Sequence, residues 1–193
     1  MSSRFKSRRY VWYGDVGAGK TLCAVRYAAK FRLHFPQFRI FSNIPLNFSY
    51  VPINSAEILF EINEPCFLLM DELWHLADSR KGNSVINDVM NMLLLRSRKR
   101  HWVVAYTQQW YTQTDLRIRY ITQFWCEPEI RGNVCIQKFL DKHGNFITTK
   151  CFDVRKIFKF YNTEDDPFTL NIDALRRRWE KYRREQGYEG EIE

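Results

Sequence analysis

The chain has 193 residues, 45% of them hydrophobic and 16% aromatic, which allows one substantial core and excludes a disordered chain. Its formal charge of +8 favours an anionic partner, with nucleic acid first because its backbone presents charge continuously. The five cysteines, at 23, 66, 126, 135 and 151, form no CxxC pair and no Cys/His cluster at zinc spacing, which argues against a disulfide scaffold or a zinc module.

The opening "MSSRFKSRRY" is basic, but no apolar secretion segment follows it, and no run of 18 apolar residues occurs anywhere. A soluble, intracellular protein without an integral membrane segment is expected. "RRYVWY" reads as a strand, followed by a glycine-rich turn and by "KTLCAVRYAAKFRLHF", whose apolar residues recur at helical spacing. "FRIFSNI" gives a second strand. "NSAEILFEIN" reads as a short helix capped by Asn54 or Ser55, and "PCFLLMDE" as a strand buried on both faces.

"LWHLADSRKGN" is a polar connection, in which Arg80 and Lys81 could meet a DNA backbone. "SVINDVMNMLLLRSRKR" has helical periodicity, and "HWVVAYTQ" is a further buried strand. In "YTQTDLRIRYITQFW", Arg117 and Arg119 would share a side if the segment were extended. "FWCE", "VCIQKFLD" and "FITTKCFDV" are shorter strands, the last two joined by "KHGN" as a hairpin. Cys66 and Cys151, in apolar stretches, read as buried small hydrophobes.

The chain closes on "IDALRRRWEKYRREQ", a helix with Ile172, Leu175, Trp179 and Tyr182 on an apolar stripe and Arg176, Arg177, Arg183 and Arg184 outside it. The basic face could meet DNA or an acidic shell protein. His34, His75, His101 and His143 are scattered and read as structural or exposed. Alternating strands and helices predict an α/β fold, with a central, mainly parallel sheet flanked by helices, plus a short β-hairpin and a C-terminal helix. A single domain spanning 1–193 is expected, with a core over 10–163 and a helical appendage over 164–193.

"GDVGAGKT" satisfies G-x-x-x-x-G-K-[ST] across Gly14, Asp15, Val16, Gly17, Ala18, Gly19, Lys20 and Thr21. Glycines let backbone N–H groups curve around an anion, and the following helix N-terminus adds its positive field. Lys20 would reach the β- and γ-phosphates of ATP, and the Thr21 hydroxyl would coordinate Mg²⁺. Asp71, at the end of "CFLLMDE", can reach the Mg²⁺ shell, and Glu72 can polarise a water aimed at the γ-phosphate, which favours hydrolysis. Gln108, at the end of "VVAYTQ", would sense the γ-phosphate or the water. The cations of "RSRKR" exceed what one phosphate needs, so some could serve another subunit or nucleic acid.

Taken together, "GDVGAGKT", "FSNIPL", "CFLLMDE", "RSRKRHWVVAYTQQ" and, more weakly, "FKFYNT" resemble the FtsK/HerA-like P-loop motor ATPases. The resemblance is to the small viral genome-packaging ATPases and the related Zot-type phage assembly proteins, and covers about residues 10–163. It implies a RecA/FtsK-like P-loop fold, with ATP–Mg²⁺ on Lys20 and Thr21, an acidic pair at Asp71 and Glu72, and a glutamine at Gln108. It also implies an arginine finger acting across the subunit boundary of a homo-oligomeric ring, commonly a hexamer. Arg98 is the first choice for this finger, with Arg96 and Arg100 beside it, although the local pattern departs from the small-residue turn often found there.

The implied activity is translocation of double-stranded DNA, into a preformed capsid for the packaging members. The implied setting is the cytoplasm of an infected host cell, at a capsid vertex, with a capsid or internal-membrane protein as a further partner. A Zot-like extrusion ATPase, a small-molecule kinase and a non-hydrolytic ATP-binding scaffold are the alternatives.

Overall fold

The computed structural model describes residues 6–72, 85–110, 116–164, 167–168 and 171–187. Arg80, Lys81 and His75 lie outside the described residues, as does the connection that carries them. The first strand, β1 (Arg8–Tyr13), leads through the glycine turn into α1 (Lys20–His34). There follow β2 (Arg39–Ser42), β3 (Val51–Pro52), α2 (Ala56–Glu61), β4 (Cys66–Met70), α3 (Val85–Lys99), β5 (Val103–Gln108) and α4 (Leu116–Ile121). Three longer strands come next: β6 (Phe124–Arg131), β7 (Val134–Asp141) and β8 (Phe146–Asp153). Two single-turn helices, Val154–Lys156 and Phe158–Phe160, then precede α5 (Ile172–Glu185).

All eight strands form one sheet in the order β3-β2-β4-β5-β1-β6-β7-β8. From β3 to β6 every pairing is parallel, whereas β7 and β8 add on antiparallel. The two-residue period of a strand explains why the central ones read as unbroken apolar runs. Tyr10, Trp12, Phe67, Leu69, Val103 and Ala105 pack on α1, on one face. The alternate residues Val11, Leu68, Met70, Val104 and Tyr106 pack on the other face with Leu59 of α2, Leu93 of α3 and Leu175 of α5.

Several local expectations are corrected. Arg117 and Arg119 lie on α4, so two residues of separation turns them apart rather than to one side. Arg117 instead pairs with Asp88 at 2.9 Å. Cys66 is buried, but Cys151 is exposed because β8 is the sheet's outer edge, where few neighbours cover either side. The hairpin expected between β7 and β8 is present, and β6 joins it to make a three-stranded antiparallel meander. The short segment read as "FWCE" is an eight-residue strand that runs through Pro128. β6 pairs with β1 only over Phe124–Cys126, so the missing N–H of Pro128 breaks no ladder with β1.

α5 is held by its apolar stripe. Leu175 is 1% exposed in the same core as α3, and Trp179 and Tyr182 stack near Phe60 of α2. Among the described residues no helix is long and apolar enough to cross a membrane. Leu175→Ala should therefore cost about 2–4 kcal/mol of folding stability in urea denaturation. A loss below ~0.5 kcal/mol, the range of an exposed site, would show that α5 is not part of the core.

Candidate functional site

The site assembles at the C-terminal ends of the parallel strands, where β1, β4 and β5 stop side by side. The turn from β1 into α1 is shaped by Gly14, Gly17 and Gly19, with φ of 140°, 81° and 91°. At Gly19 the requirement is doubly strict: a side chain would be strained at that φ, and its Cβ would meet Ile130 Cδ1 at 2.9 Å. Gly19 caps α1 without any side-chain hydrogen bond, and the first turn of the helix holds no acidic residue. An N-terminus without a polar cap keeps its N–H groups and positive dipole end for an anion.

Lys20 folds over the turn, its Nζ donating to the carbonyls of Gly14 at 2.9 Å and Asp15 at 2.8 Å. Half-burial holds its ammonium below the ordinary lysine value, against the pull of Asp71, Glu72 and Asp15. The Thr21 hydroxyl donates to both carboxylate oxygens of Asp71, at 2.9 and 3.0 Å. Thr107 Oγ1, on β5, donates to Asp71 Oδ1 at 2.8 Å and accepts from the Glu72 N–H at 2.7 Å. Burial drives the Asp71 carboxyl above the ordinary carboxylate range, while these two hydroxyls pull it back. Glu72 has a φ of 52°, a left-handed conformation that costs a non-glycine residue energy and turns the chain sharply out of the strand.

Two features that motif reading missed hold this arrangement. Asn43, in "FSNIPL", clamps the end of β4: its Oδ1 accepts from the Asp71 N–H at 2.7 Å and its Nδ2 donates to the Asp71 carbonyl at 3.0 Å. The Asn43 carbonyl also accepts from the Phe168 N–H at 2.6 Å, bringing the late part of the chain to the same place. Thr107 is the second, visible in sequence only as a polar residue near the end of an apolar strand.

A cleft of about 410 Å³ opens over these groups. Val16, Gly17, Gly19, Lys20, Thr21, Asp71, Glu72, Thr107 and Gln109 line it. Gly14, Asp15 and Ala18 line an adjoining depression against β6. Gln108 does not line the cleft, which revises its expected place. By strand alternation it faces away from Thr107, and it is 1% exposed, its amide atoms without a hydrogen-bond partner among the described residues. Thr107 and Gln109 stand at the cleft instead.

The arginines lie elsewhere. Arg96 sits over the Tyr182 ring, and the Arg100 guanidinium donates to Asn63 Oδ1. Arg98 is exposed in the last turn of α3 and, among the described residues, forms no ion pair. It neighbours Arg9 at the start of β1, whose guanidinium is lowered first by burial and then by the Arg98 charge. A strand length, on the order of 17 Å, separates that N-terminal end of the strands from the cleft at their C-terminal ends.

The residues fit a Mg²⁺-bound triphosphate. Thr21 and Asp71 offer hard oxygen donors side by side, and a buried carboxylate gains from a cation. No metal-binding cluster of His, Cys, Asp and Glu occurs among the described residues. The fold is that of a P-loop NTPase. No family model matches the chain, and no curated protein matches it by sequence.

Solved structures do match. The N-terminal domain of zonular occludens toxin from Neisseria meningitidis aligns with a TM-score of 0.63 at 15% identity, over 81% of this chain and 100% of that one. The genome-packaging NTPase B204 of Sulfolobus turreted icosahedral virus 2, with ATP-gammaS, aligns at TM-score 0.53 and 10% identity, over 76% and 97%. The cytoplasmic domain of the type VII secretion ATPase EccC from Thermomonospora curvata gives 0.54 and 10%, over 76% and 24%. These neighbours fall in the group that the motifs resemble.

The buried Asp71 supplies a pH test of the P-loop site. Its folded value is raised, so above about pH 4 the unfolded chain loses this proton first and stability falls as pH rises toward the folded value. Asp71→Asn should remove that fall and leave the nucleotide-free protein more stable than wild type at pH 7. Urea unfolding of both proteins at pH 4 and 7 measures it; an equal pH dependence in the two would contradict the burial argument.

Proposed function

We propose that this P-loop protein is an ATP-hydrolysing motor that translocates double-stranded DNA and packages a viral genome into a preformed capsid. The observation that carries the ATPase part is the Thr21–Asp71–Thr107–Glu72 chain of hydrogen bonds beside an uncapped helix N-terminus. Bound Mg²⁺–ATP would supply the electrophilic phosphoryl group and a cation to neutralise its charge. Lys20, released from the loop carbonyls, would bind phosphate oxygens, while Thr21 and Asp71 would hold the metal. Glu72, aimed by Thr107 and by its own left-handed backbone, would orient and deprotonate the attacking water. The reading of Gln108 as γ-phosphate sensor gives way to Thr107 and Gln109, which stand in the cleft.

Arg98 would act as a finger only from a neighbouring subunit, because in its own chain it lies at the opposite end of the strands from the cleft. That requirement supports a homo-oligomeric ring, taken as a hexamer. The net charge of +8 supports contact with DNA phosphates. The burial of Leu175 supports reading residues 1–193 as one domain with an ATPase core over 10–163. The proposed setting is the cytoplasm of an infected host cell, at a capsid vertex.

A second reading is a Zot-like phage assembly or extrusion ATPase. The higher TM-score with the zonular occludens toxin domain, 0.63 against 0.53 for B204, favours it. ATP-dependent displacement of a triplex-forming strand from duplex DNA separates the two: a packaging motor should displace it, and an extrusion ATPase without a duplex track should not.

Glu72→Gln should keep nucleotide affinity within about threefold and lower turnover by about 10²-fold or more. Turnover equal to wild type would remove Glu72 from the catalytic role. For the finger, Lys20→Ala and Arg98→Ala should each be inactive alone. Mixed, they should regain partial ATP turnover, since the first offers an intact finger to the second's intact site. No recovery on mixing, with assembly verified by mass, would count against Arg98.

A further inference from the structure

Resting on the phosphate-site reading above, we propose that the other wall of the cleft is a nucleobase subsite. In it a purine ring, adenine in the first instance, stacks on Phe158 against Ile130. The lining of the cleft divides by chemistry. The glycine loop, Lys20, Thr21 and the two acids suit a phosphate chain and its metal, whereas Ile44, Ile130, Phe158 and Tyr161 offer an apolar, aromatic surface with Asn162 and Thr163 beside it. A cleft of about 410 Å³ lined by both ionic and apolar groups matches an amphiphilic ligand such as a nucleotide, and is larger than a polyphosphate alone requires.

Within the aromatic stretch at 157–161, only Phe158 is left over by the core. Ile157 and Tyr161 are each 6% exposed, and Phe160 packs edge-on to Phe48 at 5.9 Å, while Phe158 is 48% exposed. Its backbone is nevertheless fixed. The Asn47 N–H donates to the Phe160 carbonyl at 2.7 Å, its Nδ2 donates to the Lys159 carbonyl at 3.2 Å, and the Ile157 N–H closes on Val154 at 2.9 Å. An exposed ring on a pinned turn is preorganised, so stacking a flat heterocycle on it orders little that is not already ordered.

Ile130 packs on the glycine loop. It lies against the Cα of Gly19, where a Cβ would come within 2.9 Å of its Cδ1. The apolar side of the cleft is thereby tied to the glycine that caps α1. The Asn162 side chain is oriented by accepting the Glu164 N–H at 3.2 Å. Its amide and the Thr163 hydroxyl give the base edge polar neighbours.

The test compares Mg²⁺–ATP with Mg²⁺–tripolyphosphate, which has the anionic chain without the base, by titration calorimetry on the full chain. Wild type should bind ATP more tightly. Phe158→Ala should weaken ATP by roughly 5- to 150-fold, the range for loss of one base–aromatic stack, and leave tripolyphosphate within twofold. Phe158→Tyr should restore the preference. ATP affinity unchanged in Phe158→Ala, or equal losses for both ligands, would overturn the subsite while leaving the phosphate site standing. Failure of wild type to bind either ligand, or binding of both undiminished in Lys20→Ala, would overturn the phosphate-site reading and the subsite with it.

Discussion

A carboxylate taken out of water at the end of a core strand is the constraint around which this molecule is arranged. Asp71 is 7% exposed, and its charge is tolerated because two hydroxyls from different elements converge on it, Thr21 from α1 and Thr107 from β5. Those bonds fix the relative height of the helix and the two strands to within hydrogen-bond tolerance. A buried anion so placed is a liability to folding and a ready seat for a divalent ion. The same hydroxyl of Thr107 also accepts the N–H of Glu72, so the two adjacent acids share one support.

The support continues outward through the backbone. Asn43 bonds both the N–H and the carbonyl of Asp71, which does for the end of β4 what a further strand residue would otherwise do. Its own carbonyl then receives the Phe168 N–H. One asparagine thus ties the acidic strand to a segment nearly a hundred residues later, and the loop that follows it carries Asn47, which pins the turn bearing Phe158. The acid pair and the apolar wall are positioned through one short stretch after β2.

Much of this was legible in the sequence because the signals are local. "GDVGAGKT" specifies its own backbone through three glycines with positive φ, and "CFLLM" reads as an apolar run of strand length, the sort buried on both faces, as it is. What was not legible depended on tertiary partners. Nothing in "VVAYTQQ" distinguishes Thr107 and Gln109 from Gln108 until the face of β5 that meets Asp71 is known. Once the second face is assigned to Tyr106, alternation alone excludes Gln108 from the cleft. The β6–β7 turn did carry a local signal, a Gly-Asn pair at 132–133 between strand-like runs, but Pro128 obscured how far β6 extends. Asn43 was visible only as part of a motif, without its task.

The meander has one further mechanical property. Beyond Cys126, β6 no longer ladders with β1: β7 pairs it along its length, the Tyr13 hydroxyl donates to Glu127, and Ile130 rests on Gly19. The antiparallel strands therefore pack across α1 at several points, through Ile130 on its cap at Gly19 and through Cys135 and Phe139 in the core beneath the helix. A shift of the Gly132 tip relative to the sheet would therefore be felt at Gly19, because Ile130 leaves no room there even for a methyl group.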